Sequence, residues 1–324
     1  MDKPFLNYEE QLKHLVEDKK INCDNPKAKE LLIRNGYFNL INGYKTPFVC
    51  NIDKETGKHI YYPGTKIEQI AMVKEFDDDL RIHLLKYITK AEEEVRTIAG
   101  YKFDDLSMGT SKWDDKTSYA DYQNNEENIL AMINSATEEI ERSELDYINF
   151  YTQKHNMIPS WIFVKIINFS TFINFLECSN GNLKDSICNL YHIYDSDGKP
   201  NHKLLIGSLH WMRKVRNSCA HNERIYTIER KKGRIKDQYI MSMRKSYQRD
   251  RDQKLIDLLV YLKYFLDVDS YNNLIQYIND WLSNMEKSLN PNVFANIRGA
   301  TGIKEINDLQ FLLLNPNIKD YENC

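Results

Sequence analysis

The chain of 324 residues is 42% hydrophobic and 28% charged, with only 12 glycines and 8 prolines, the composition of a globular protein. Its length exceeds the usual single domain, so one large domain with appendages and two small domains both fit, and no apolar run approaches the roughly 20 residues that cross a bilayer. The net charge of −3 argues against a general nucleic-acid binder, but residues 201–254 hold 15 Lys+Arg against 5 Asp+Glu, a balance of +10 that leaves −13 on the other 270.

In chain order the pattern is helical. Residues 7–20 and 25–36 read as short helices, followed by an aromatic, turn-rich stretch, Gly36-Tyr-Phe-Asn-Leu-Ile-Asn-Gly-Tyr44. Pro63-Gly64-Thr65 marks a boundary, with Thr65 as the expected N-cap and Glu68 completing a capping box. Ile67, Ile70, Val73, Phe76, Leu80, Leu84 and onward to Ile98 recur every three or four residues, which predicts one long helix. Residues 104–124 read as a loop, 125–153 as a second long helix, and 160–178 as an apolar helix opened by Pro159. A short helix near 183–193 leads to a helix over 201–222. Ile225–Glu229 and Ile235–Met241 flank Arg230-Lys-Lys-Gly-Arg234, the pattern of a β-hairpin with a basic tip. Two helices follow, near 250–266 and 270–288, then a less regular tail from Asn290.

The expected class is all-α: an extension over 1–64, a helical core over 65–224, a basic hairpin over 225–249, and C-terminal helices and tail over 250–324. Six cysteines occur with no C-x-x-C pair, so reduced thiols and a cytoplasmic location are expected, with no cofactor or metal. The opening Met1-Asp-Lys-Pro-Phe5 lacks the pattern of a secretory leader, and no membrane partner is expected.

The most informative residues are Arg216-Asn217-Ser218-Cys219-Ala220-His221, an Arg-x4-His at a helix end inside the basic segment. At about 100° per residue, Leu205, Leu209, Met212, Val215 and Cys219 share one arc, and His210, Lys214, Asn217 and His221 form a polar stripe. Arg216 falls inside the apolar arc. A guanidinium there needs an anionic partner, a route to water or an interface. Both a carboxylate-paired arginine and one aimed at a phosphate satisfy that need. His221 favours the helix dipole in any case, but an imidazole beside Asn217 also suits proton transfer to and from ribose oxygens. A zinc set of His210, Cys219 and His221 is disfavoured, because Cys219 lies on the opposite side of the wheel.

Several segments resemble the abortive-infection proteins of the AbiD/AbiF type, which carry a HEPN domain. They are Phe5-Leu-Asn-Tyr-Glu-Glu-Gln-Leu12, Tyr37-Phe-Asn-Leu-Ile-Asn-Gly-Tyr-Lys-Thr-Pro-Phe48, Phe76-Asp-Asp-Asp-Leu-Arg81, Glu92-Glu-Glu-Val-Arg96, Pro159-Ser-Trp161 and, most specifically, Val215-Arg-Asn-Ser-Cys-Ala-His-Asn222. Two departures stand out: Lys165 with Asn168-Phe169-Ser170 follows the tryptophan, and Asn222 stands where a second histidine is common. The resemblance implies a dimeric HEPN core that cleaves RNA without a metal in phage defence, some relatives being restrained by a small non-coding RNA. On that basis Arg216, His221 and Asn217 are the expected catalytic residues, with RNA held by Arg213, Lys214, Arg224, Arg230, Lys231, Lys232, Arg234 and Lys236. A non-catalytic RNA-binding HEPN protein that acts as a scaffold or toxin–antitoxin partner is the alternative.

Overall fold

A computed structural model describes residues 5–24, 26–155, 157–231, 253–314, 319 and 321. Helices α1 (Tyr8–Glu17) and α2 (Lys27–Asn35) open the chain, α1 capped reciprocally by Asn7 and Glu10. The aromatic stretch is a π-turn over Phe38–Asn42 and a 3-10 turn over Thr46–Phe48 rather than open coil. A small antiparallel pair that the sequence did not suggest follows, β1 (Val49–Ile52) and β2 (His59–Tyr61), with a register shift between Val49 and Asn51.

The axis of the fold is α3, Ile67–Asp105, a single helix of 39 residues. It begins one residue later than expected. Thr65 spends its hydroxyl on the Tyr62 carbonyl (2.7 Å), and Gln69, not Glu68, accepts from the Lys66 amide (3.0 Å). Around α3 pack α6 (Ser160–Ile166), α8 (Gly181–Leu190), α9 (His202–Ala220) and, from the C-terminal part, α11 (Val268–Ser288). The contact with α6 is close because Gly100 carries no side chain: a Cβ there would stand 2.7 Å from Val164 Cγ2. The helix expected over 125–153 is two, α4 (Glu126–Glu141) and α5 (Asp146–His155). The helix expected over 160–178 also breaks, at Ile167, because Asn168 turns its side chain onto the Ser170 and Thr171 amides and so starts α7 (Phe169–Cys178).

Residues 104–124 are mostly loop, yet this loop buries Trp113, whose indole donates to the Ile158 carbonyl (2.8 Å), and Tyr119, whose hydroxyl donates to Trp113 O (2.6 Å). The C-terminal part comprises α10 (Leu255–Phe265), α11, α12 (Pro291–Thr301) and α13 (Ile306–Leu313), so much of the described tail, expected to be irregular, is helical. Of the expected basic hairpin, 225–229 is turn and extended chain, and Arg230 makes an isolated bridge to Gln253. Its remainder, Lys232, Arg234 and Lys236 included, lies outside the described residues. The class is all-α.

Candidate functional site

The motif helix α9 ends as its sequence dictates. The His221 amide donates to Asn217 O (2.9 Å), Asn222 N to Cys219 O (3.3 Å) and Glu223 N to Ser218 O (2.9 Å). These bonds form a Schellman close, which requires a left-handed residue just past the cap. Asn222 fills that position with φ 55°, and asparagine tolerates it better than most residues. The departure at Asn222 therefore has a backbone reason.

His221 is exposed at this helix end. Asn217 is exposed as well, and among the described residues no hydrogen bond joins its side chain to the His221 ring. The apolar arc is core as expected: Leu205, Leu209, Met212 and Val215 are fully buried, and burial pushes the Cys219 thiol up to about 12. Arg216 leaves this arc toward α3, where its Nε lies 3.7 Å from Glu92 Oε2. Both atoms are buried, and neither has a hydrogen-bond partner. Glu92 Oε1 is already occupied by Arg96 through Nε (3.0 Å) and Nη2 (2.7 Å), and Arg96 also donates to the Val164 and Ile167 carbonyls. One carboxylate thus faces two guanidiniums, with Oε1 hydrogen-bonded to Arg96 and Oε2 left to Arg216 without a hydrogen bond. The Arg216 side chain keeps 40% of its surface exposed. Its Nε is thus seated beside the Glu92 charge while the side chain as a whole stays partly in solvent.

A second cluster fixes the segment after His221. Asp77, fully buried on α3, accepts from the Tyr226 amide (2.8 Å), the Ile225 amide (3.0 Å), the Tyr44 hydroxyl (2.9 Å) and Arg81 Nη1 (3.0 Å). Burial pushes this carboxyl upward, but all of these partners are donors, which favours its ionised form. Arg81 also donates to Glu223 O (3.2 Å) and binds Asp78. Hence α3 grips the chain two to five residues beyond His221. Both clusters join residues far apart in the sequence, although signals existed: Asp77 interrupts the apolar series Ile70, Val73, Leu80, Leu84, and Arg216 in an apolar arc called for an anion, a route to water or an interface.

The polar stripe of α9 is divided. Residues 223–230 fold back along the helix, with Lys214 Nζ bonded to Glu229 O and Arg230 Nη1 donating to Gly207 O (2.6 Å). His221 opens onto a groove of ≈ 1030 Å³ between the Phe38 turn and α3. His210, Arg213, Lys214, Arg230 and Lys231 line a separate depression of ≈ 540 Å³ that shares no residue with the first. His210 lies 3.3 Å from Glu177, Arg213 bonds Ser170, and Lys231 is exposed 3.6 Å from Glu229. Arg230, expected at an exposed tip, is only 9% exposed and lies over Trp211. Among the expected RNA contacts that lie in the described residues, Arg224 alone lines the His221 groove, anchored to Gly43 O and Thr227 Oγ1.

Fold and site together define an all-α protein whose long central helix carries, through buried carboxylates, an arginine–histidine helix end. A family model described as Abi-like protein matches residues 30–227, most of the chain, and the protein belongs to that abortive-infection family. No curated protein and no solved structure matches it. No described helix is long and apolar enough to cross a membrane.

Proposed function

We propose that this Abi-like protein is a HEPN-type, metal-independent endoribonuclease of phage defence, working as a dimer in the cytoplasm. The observation that carries the reading is Arg216: seated against Glu92 inside the fold, it still holds 40% of its side chain in solvent on the last turns of the helix that ends at His221. A pre-seated guanidinium is suited to bind a phosphodiester and stabilise charge developing on it. The ribose 2′-hydroxyl attacks the adjacent phosphorus and loses its proton to a base, the P–O5′ bond breaks, and an acid protonates the departing 5′-oxygen. The products are a 2′,3′-cyclic phosphate and a 5′-hydroxyl.

His221 from each of two copies serves as base and acid, and Asn217 positions the ring or the substrate. The dimer is part of the proposal because Arg216 and His221 diverge by about 140° on one helix. Arg213, Lys214, Arg224 and Lys231 hold the RNA backbone, and a small non-coding RNA restrains the enzyme.

The test is cleavage of a labelled RNA in EDTA by the wild-type protein, Arg216→Ala and His221→Ala. Each substitution is expected to lower the rate by about 10²–10⁴-fold, the usual share of one acid–base or charge-stabilising group. Undiminished cleavage by either variant refutes the assignment. Tight RNA binding by the wild type without cleavage points instead to the non-catalytic scaffold.

A further inference from the structure

The groove beside His221 has two unlike walls. One is the π-turn Phe38–Asn42, where Leu40 and Ile41 are fully buried and Phe38 is turned out with 74% of its surface exposed. Single π-turns of this kind recur at functional sites. The other wall is the outer face of α3, where Ile82 is 65% exposed. The lining carries four basic side chains, Arg34, Lys74, Arg81 and Arg224, and two carboxylates, Asp78 and Glu223; Lys74 pairs with Asp78, Arg81 with Asp77 and Asp78, and Arg34 with Glu30. Arg81 is neutralised by Asp77 and Asp78, whereas Arg224 is held by two neutral oxygens, Gly43 O and Thr227 Oγ1, and so brings its charge to the groove. An outward phenyl ring, a facing aliphatic surface and a guanidinium held by neutral oxygens at an open channel match one class of occupant.

We propose that this groove takes single-stranded RNA, with an unpaired base stacked on Phe38 and the neighbouring phosphates against Arg224 and the exposed Arg34. The inference rests on the nuclease reading for the strand's destination and adds the form of the substrate. A base inside an A-form duplex presents no face to such a ring, whereas a splayed single strand stacks on aromatics without needing a particular sequence. The ≈ 1030 Å³ of the groove exceeds the usual small-ligand site of roughly 300–1,000 Å³, so it has room for more than one nucleotide.

The experiment measures the affinity of fluorescein-labelled single-stranded RNA, and of the same sequence as a duplex, by anisotropy. It is run in the His221→Ala background so that the RNA stays intact, with Phe38, Phe38→Ala and Phe38→Trp compared. Phe38→Ala is expected to weaken single-strand binding roughly 5- to 150-fold, the measured range for one base–aromatic stack. Phe38→Trp restores it, and the duplex binds more weakly throughout. Because Phe38 is exposed, its loss leaves the melting temperature unchanged.

Equal single-strand affinity for Phe38→Ala overturns the inference, while cleavage by the wild type would still stand on Arg216 and His221. A change in oligomeric state on Phe38→Ala without a change in RNA affinity overturns it too, and assigns the ring to a contact between copies. Phe38-dependent binding with no cleavage by the wild type supports the inference and removes the nuclease reading.

Discussion

Replacing Asp77 tests how the segment beyond His221 is held. The carboxylate is fully buried and receives two backbone amides, a phenol and a guanidinium, all within 3.0 Å of one of its oxygens. Truncation by Asp77→Ala leaves those donors without an acceptor. Losing one member of a buried ion pair costs about 3–5 kcal/mol, most of it the stranded partner. Arg81 keeps Asp78 and the Glu223 carbonyl, so its charge is not wholly abandoned, and the lower half of that range, about 3–4 kcal/mol, is expected. At roughly 2–4 °C per kcal/mol, the melting temperature followed by far-ultraviolet circular dichroism falls by about 6–15 °C.

Hydrogen exchange provides the local readout. The Ile225 and Tyr226 amides, whose acceptor is Asp77, lose protection first, ahead of α9 itself. A melting temperature within about 2 °C of wild type, together with unchanged protection at those two amides, refutes the role assigned to Asp77.

Two further predictions separate packing from charge. Gly100→Ala destabilises by about 1–2 kcal/mol despite the better helix former, because the new Cβ meets Val164 Cγ2 at 2.7 Å and the α6 backbone at 3.0 Å (Trp161 Cα) and 3.1 Å (Ser160 O). Gly299→Ala, with nothing within 4 Å, leaves stability unchanged or raises it by up to about 1 kcal/mol in urea denaturation. Equal effects of the two would contradict the close α3–α6 approach. Asp267, which caps α11 and binds Lys90 Nζ at 2.6 Å, feels a burial penalty that raises its carboxyl, yet Lys90 and Ser270 outweigh it and hold the group well below the ordinary 3.8. A depressed folded-state value contributes stability above 3.8 that is lost as pH falls through the folded value. Asp267→Asn is therefore expected to flatten the decline of the urea midpoint below about pH 4, and an unchanged decline would remove this contribution.

Much of the molecule was readable along the chain, for particular reasons. The stripe from Ile67 to Ile98 announced α3 because a helix that buries one face must repeat its apolar residues every three or four positions. The breaks at Ser143 and Ile167 were not readable, because apolar periodicity runs through them and the Asn168 side chain decides the second by capping its successor. The irregular look of the tail hid α12 and α13, whose apolar faces dock on the Thr46–Phe48 turn and on α11, partners distant in sequence. The β1–β2 pair was missed for the opposite reason: its strands are short and mostly exposed, so they leave little alternation to read.

The motif divides in the same way. The helix bearing Arg216 and the misfit of Arg216 in an apolar arc followed from local spacing, since helical geometry fixes the angle between neighbours on one element, whereas its end, expected at 222, falls at Ala220 with His221 as the cap. That Glu92 is the anion beside Arg216, that Asp77 clasps the chain beyond His221, and that Phe38 shares a groove with that histidine depended on tertiary folding. These contacts join residues some 120 to 180 positions apart, and only the packing of α2, α3 and α9 sets which charges share a buried space.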